Sequence, residues 1–175
     1  EVYDLLTIDR LAPQLTNLKA WPWWMVDANL PVETISWLAD NKGNTKLCAA
    51  TVSPSKAVRF RPVLDELDLL ITNQAEASIL TGIEIKEIAQ AKTAIQLLRG
   101  KGIPDVVITL GATGVVSSSS QSGTAFWSPL ATRLRDVNGA GDAFYSGFLS
   151  AFSKPHAQMD DAVANGLAMA SLTAE

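Results

Sequence analysis

Short apolar runs, each too brief for a helix, recur along this chain, separated by stretches whose apolar residues fall at helical spacing. WMVDA at 24–28, KLCAAT at 46–51, LDLLIT at 67–72 and DVVITL at 105–110 are four of them. Runs this short and this continuously apolar suit strands buried on both faces. Strands that alternate with helices suit a mostly parallel sheet covered by helices on both sides. Pro31 stands where a first helical position would be, Val32, Ile35, Leu38 and Ala39 follow on one face, and Gly43 marks the stop. SPSKAVRF at 53–60 starts a helix that Pro62 interrupts. Residues 74–81, ending at Gly82, and 86–99, with Ile88, Ala91, Ile95 and Leu98 aligned, are predicted helices. Residues 114–119 and 124–127 read as a strand pair around QSG, and helices over 140–153 and 159–173 follow. The expected fold is α/β: a three-layer, doubly wound, mostly parallel sheet, one domain over residues 1–175.

Composition narrows the function. Apolar residues make up 47% of the chain, enough to fill a core, and 14 Lys and Arg against 18 Asp and Glu leave a net charge of −4 with no basic run, which argues against nucleic acid. The longest apolar stretches fall short of the roughly 20 residues that cross a bilayer. Cys48, the single cysteine, lies in an apolar run and reads as a small buried hydrophobe in a reducing, cytoplasmic setting. His156, the single histidine, sits beside Pro155 in an apparent surface loop, so His-based metal clusters and Ser/His/Asp triads lack their residues. Trp21, Trp23 and Trp24, next to the first strand, are expected to bury against what precedes them. The chain opens on Glu1 rather than Met and stops at Glu175 within an Ala-rich helical pattern, as a piece of a longer protein would.

Ligands of open α/β sheets collect beyond the carboxyl ends of the strands. Three turns there carry unusual residues: TNQAE at 72–76, TLGATG at 109–114 and DVNGAGD at 136–142. Asn138-Gly139 alone suits a tight hairpin. However, Phe144, Phe148 and Phe152 follow at spacings of four, so the glycines are expected to bend the chain into a helix. Backbone N–H groups at such a bend converge, and the helix dipole adds about half a positive charge, which makes an anion hole. Asp142 reads equally as a plain helix cap or as a carboxylate beside a bound phosphate. Neither the P-loop nor the dinucleotide fingerprint is present.

DVNGAGDAFYSGFL resembles the D-[TS]-x-G-A-G-D signature of the PfkB (ribokinase-like) carbohydrate kinases, including its A-F-x-x-G-F continuation. TNQAE matches their N-x-x-E motif, and VVITLGATG matches the strand and glycine turn before their nucleotide site. DANLP, VSPSKA and NQAEASILTG look most like the pseudouridine kinases within that family. The resemblance implies a ribokinase-like fold lacking its amino-terminal portion, with the lid and most sugar contacts. It implies a kinase using ATP and Mg²⁺, in some relatives K⁺, with a sugar or nucleoside as the small-molecule substrate and pairing of two copies through the lid.

The resemblance also implies roles. Asp142 would take the proton of the attacking hydroxyl, while Gly139, Ala140 and Gly141 offer N–H groups to the transferring phosphoryl. Asn73 and Glu76 would organise Mg²⁺, Glu76 through water. Thr109, Gly111 and Gly114 would lie along the ATP phosphates and ribose, and Asn165 would line the adenine pocket. Asp136 would orient the glycine loop or help hold a monovalent cation. Lys56 suits a solvated surface position better than a phosphate contact. Val137 replaces the family's Thr or Ser, and Thr51 stands near an Asp of the pseudouridine group. The first functional reading is phosphorylation of a primary hydroxyl, with pseudouridine as leading acceptor. Beside it stand a ribokinase- or fructokinase-type sugar kinase and a non-catalytic nucleotide-binding fragment or degenerate paralogue.

Overall fold

The computed structural model describes residues 2–131 and 135–175. Two short helices, α1 (Ile8–Leu11) and α2 (Leu15–Leu18), lead into β1 (Trp23–Asp27), α3 (Val32–Asn41) and β2 (Lys46–Ala50). Then come α4 (Pro54–Ala57), a 3₁₀ segment (Val58–Glu66), β3 (Leu69–Asn73), α5 (Gln74–Thr81), α6 (Ile88–Gly100) and β4 (Asp105–Thr109). β5 (Val115–Ser119), β6 (Gly123–Trp127), α7 (Ala140–Phe152) and α8 (Met159–Ala174) complete the order. The six strands form one sheet in sequence order. β1 to β4 are parallel, and β5 and β6 return antiparallel.

Each face of the sheet has its own core, as the continuous apolar runs required. Trp24, Val26, Leu47, Ala49, Leu70, Val106 and Ile108 point to one side, under α3, the 3₁₀ segment, α5 and α6. Cys48, Leu69, Ile71, Val107 and Val115 point to the other, where α7 and α8 supply Phe144, Phe148, Met159, Ala162 and Val163. The three phenylalanines predicted to share a face of α7 stack in a row, with centroids 6.0 Å and 5.1 Å apart. Gly147 and Gly166 let α7 and α8 approach closely, each facing backbone or ring atoms of the other helix where a side chain would stand.

Three local expectations change. The helix expected over 53–60 is a single α turn that tightens into 3₁₀, with Val63 leaving helical geometry just after Pro62, because proline cannot donate to the ladder and clashes with the preceding turn. The tryptophans divide. Trp24 is buried and its indole donates to Leu18 O at 2.9 Å, Trp23 is half-buried beneath Lys46 and against Phe152, and Trp21 is 67% exposed. Lys56 is not simply solvated, since its ammonium donates to Asn29 Oδ1 at 2.6 Å. Cys48 is buried and His156 is exposed in the loop before α8, as expected. Among the described residues, no helix is long and apolar enough to cross a membrane.

Candidate functional site

The carboxyl ends of the four parallel strands face one way, and two of the three unusual turns, at 109–114 and 136–142, border one cavity there. Gly139 adopts a left-handed conformation (φ 78°), a region L side chains avoid, and the chain turns directly into α7. Asn138-Gly139 is therefore a bend from loop into helix and not a hairpin. No side chain caps the helix at Gly139. The bend is pinned from both sides: the Asn138 N–H donates to Asp136 Oδ1 at 2.9 Å, and the Arg135 N–H donates to Ala174 O at 2.8 Å, at the end of α8. Asp136 thus accepts a hydrogen bond within the glycine loop. The Ala140 N–H is used within the turn, donating to Val137 O at 3.2 Å.

Across from this bend lies the turn after β4. Gly111 is left-handed, and Gly114 (φ 122°) passes so close to Trp127 O that no side chain would fit. Between the two turns opens a cavity of about 470 Å³. Thr109, Gly111 and Gly114 form one wall, Val137, Ala140 and Gly141 another, and Phe144, Leu167 and Ala170 give it an apolar side. An ideal Cβ on Gly141 meets nothing within 4 Å, so this glycine leaves its backbone open to a ligand. The arrangement suits a nucleotide, with an apolar wall for a base and a glycine-bordered, positively polarised helix start for phosphate.

Asp142 is exposed in the first turn of α7, beside the cavity but outside its lining. Its backbone carbonyl accepts the Ser146 hydroxyl at 2.9 Å. Asn165 is not brought into the cavity: it is exposed on α8 and its amide donates to Asp161 O at 2.9 Å. The α8 residues that do line it, Leu167, Ala170, Ser171 and Ala174, occupy one helical stripe, a signal legible in AVANGLAMASLTAE by its spacing.

Glu76 and Asn73 form a capping box at the start of α5. Asn73 Oδ1 accepts the Glu76 N–H at 3.0 Å, and Glu76 Oε2 accepts the Asn73 N–H at 3.1 Å. The glutamate is 2% exposed, and its Oε2 also accepts hydroxyls from Thr51 and, at 3.4 Å, Thr72. Neutral donors therefore satisfy this carboxylate, and Glu76 is not among the residues lining the cavity. Among the described residues, no group of three His, Cys, Asp or Glu could hold a metal. The site fits a nucleotide, but it does not present a direct magnesium cage.

The pfkB family carbohydrate kinase model matches residues 27–175. The chain belongs to that family. It is 32% identical over 127 residues to the pseudouridine kinase of Escherichia coli strain K12, covering 72% of this chain and 40% of that protein. It is 33% identical to a ribokinase of Haemophilus influenzae over 63% of this chain and 36% of that one. A carbohydrate kinase structure from Agrobacterium tumefaciens superposes with a TM-score of 0.81 at 33% identity, over 98% of this chain and 54% of that one. An Arabidopsis thaliana ribokinase complexed with ribose and ATP shares the fold at TM-score 0.79 and 20% identity, over 93% and 52% of the two chains. This pfkB chain spans about half the length of those structures, and less of the curated relatives.

Proposed function

We propose that the chain carries the nucleotide and base portion of an ATP-dependent phosphotransferase acting on a primary hydroxyl of a sugar or nucleoside, with the 5′-hydroxyl of pseudouridine as acceptor. One observation carries the reading: the bend at 138–142 and the turn at 109–114 face each other across one cavity, with Asp142 beside it. The pseudouridine assignment adds the relative named for that activity, supported by the DANLP and VSPSKA stretches.

ATP would lie with its base against Phe144, Leu167 and Ala170 and its phosphates between Gly111 and Gly141. Magnesium would arrive with the nucleotide. The Asp142 carboxylate accepts the hydroxyl proton as the new O–P bond forms and the bond to the ADP oxygen breaks. The helix start at Gly141 then offsets charge on the migrating phosphoryl group, in a reaction that asks for positioning more than covalent help. Val137 gives this loop an apolar flank where relatives carry a hydroxyl.

The test pairs an ADP-release screen against pseudouridine, uridine, adenosine, ribose and fructose with thermal shift in Mg·ATP. Release with one acceptor, lost by a factor of about 10² to 10⁴ in Asp142→Asn while the nucleotide shift survives, is the expected result. Unchanged turnover in that variant removes Asp142 from the chemistry. The share of its relatives that this chain spans favours a second reading, a nucleotide-binding unit without turnover. That reading predicts the Mg·ATP shift with no ADP release for any acceptor.

A further inference from the structure

Tyr145 stands three residues after Asp142 on α7, which places the two on neighbouring positions of one helix face. Its ring is half-buried among the apolar residues between α7 and the sheet. Its hydroxyl donates to Ile71 O at 2.9 Å, a bond that spans 74 residues of sequence. Ile71 precedes Thr72 and Asn73, the residues that lead β3 into the capping box. The Thr51 and Thr72 hydroxyl oxygens stand 2.9 Å apart, and both donate to Glu76. The phenol's acidity is suppressed, first by burial and then by the nearby Glu76 carboxylate, with Asp142 adding a smaller share and a hydrogen bond with Thr51 pulling the other way. Both carboxylates of interest are therefore within electrostatic reach of one phenol, which stays a hydrogen-bond donor throughout the working pH range.

The side chain that carries Asp142 is itself exposed and held by nothing on its own helix apart from the backbone. Beneath it, the bond to Ile71 O is a polar tie between the early part of α7 and the sheet. Ile71 lies mid-strand and is paired with both neighbouring strands, so losing the phenol hydroxyl removes a tie between helix and sheet and leaves the ladder itself in place. We propose that Tyr145 is a positioning residue whose hydroxyl fastens the Asp142 turn of α7 to Ile71 in the middle of β3, so that the candidate base and the Asn73–Glu76 capping box at the end of that strand move as one body. The proposal rests on the reading of Asp142 as the base, and concerns what holds that base in place.

Tyr145→Phe keeps the ring and removes the tie. Amide hydrogen exchange in the chain, read residue by residue, should accelerate about five- to tenfold over residues 142–146 while α8 keeps its protection. Where turnover is measurable, kcat should fall about tenfold with KM for ATP unchanged, and the same substitution placed on Asp142→Asn should lower it no further. Unchanged exchange over residues 142–146, or acceleration spread evenly over the whole chain, overturns the proposal. Absence of turnover in the unaltered chain would defeat the phosphotransferase reading, and the exchange pattern would still decide the tie. If Tyr145→Phe folds poorly, Thr51→Val serves as a second probe: with the Glu76 end of the network loosened, exchange should rise at residues 73–76 and at 142–146 together, and a rise confined to 73–76 overturns the proposal.

Discussion

Replacing Gly147 by alanine tests the claim that two helices are spaced by glycine contact. A Cβ at Gly147 would lie 2.8 Å from Asn165 O and 2.7 Å from Met169 Cγ. Two effects compete. Alanine in a helix interior with room for its methyl favours folding by about 0.8–1 kcal/mol over glycine. Met169 is 43% exposed and can rotate away. The Asn165 carbonyl belongs to the α8 backbone and can yield only if the helix moves, by about 0.6 Å to reach ordinary contact. Overpacking costs about 1–3 kcal/mol, and against a backbone carbonyl that cannot rotate away the upper part of that range, about 2–3 kcal/mol, applies, so the clash wins and leaves a net loss of about 1–2 kcal/mol. In a chain of this size that lowers Tm by about 2–8 °C. Because α8 also walls the cavity with Leu167 and Ala170, the nucleotide shift should weaken too. Gly100, at the end of α6 with nothing within 4 Å of its ideal Cβ, is the control, and Gly100→Ala should be neutral or stabilising. Urea and thermal unfolding measure both variants. A Gly147→Ala chain as stable as the unaltered one would refute the argument that backbone contact at this glycine sets the helix spacing.

Gly141→Ala separates binding from folding: the exposed glycine has open space, so the urea midpoint should hold while Mg·ATP affinity drops at least about tenfold, and unchanged affinity would remove the start of α7 from phosphate binding. Cys48 is buried and burial pushes its thiol acidity far down, so the native chain should resist a thiol reagent and react only as it unfolds in urea, a rate that fast labelling in buffer would contradict. Burial, the largest influence, holds the Asp105 carboxyl above its ordinary pKa, so the folded chain keeps that proton to higher pH than the unfolded one, and stability from this group is present in acid and lost as pH rises through the folded value. Asp105→Asn should therefore gain on the unaltered chain from pH 3.5 to pH 7, as urea midpoints at the two values would show. A gap that narrows over that range would contradict the assignment.

Much of the architecture was legible because local rules and the fold agree. The four apolar runs became the four parallel strands, shifted by a residue or two at their ends. Gly82 ends α5 in the left-handed conformation expected of a glycine stop. The bend at Gly139 was readable from phenylalanines that recur every fourth residue after it. The stretch over 53–66 was less legible, since a helical pattern and Pro62 conflict there and tertiary packing of Phe60, Val63 and Leu64 settled the outcome as 3₁₀. Residues 2–18 carry no periodic signal strong enough to predict, yet they fold into short turns, and Leu18 O receives the Trp24 indole.

The site divides in the same way. Spacing alone located the turns that border the cavity, because a glycine bend that opens a helix is a local event governed by φ and by the first unpaired N–H groups. Which other residues join them was decided by contacts between segments far apart in the chain. Thr51 looked like a mere departure from a family pattern, and it proves to donate to a carboxylate 25 residues on. Tyr145 had no motif at all, and its partner lies 74 residues away. The sequence by itself determined the order of strands and helices and where the chain bends at a glycine into α7, because periodicity and glycine conformation are set within a few neighbouring residues. Only the tertiary structure decided that Glu76 is buried under hydroxyls and that α8 turns Leu167 and Ala170, not Asn165, into the cavity, because burial and helix rotation follow from how whole layers pack.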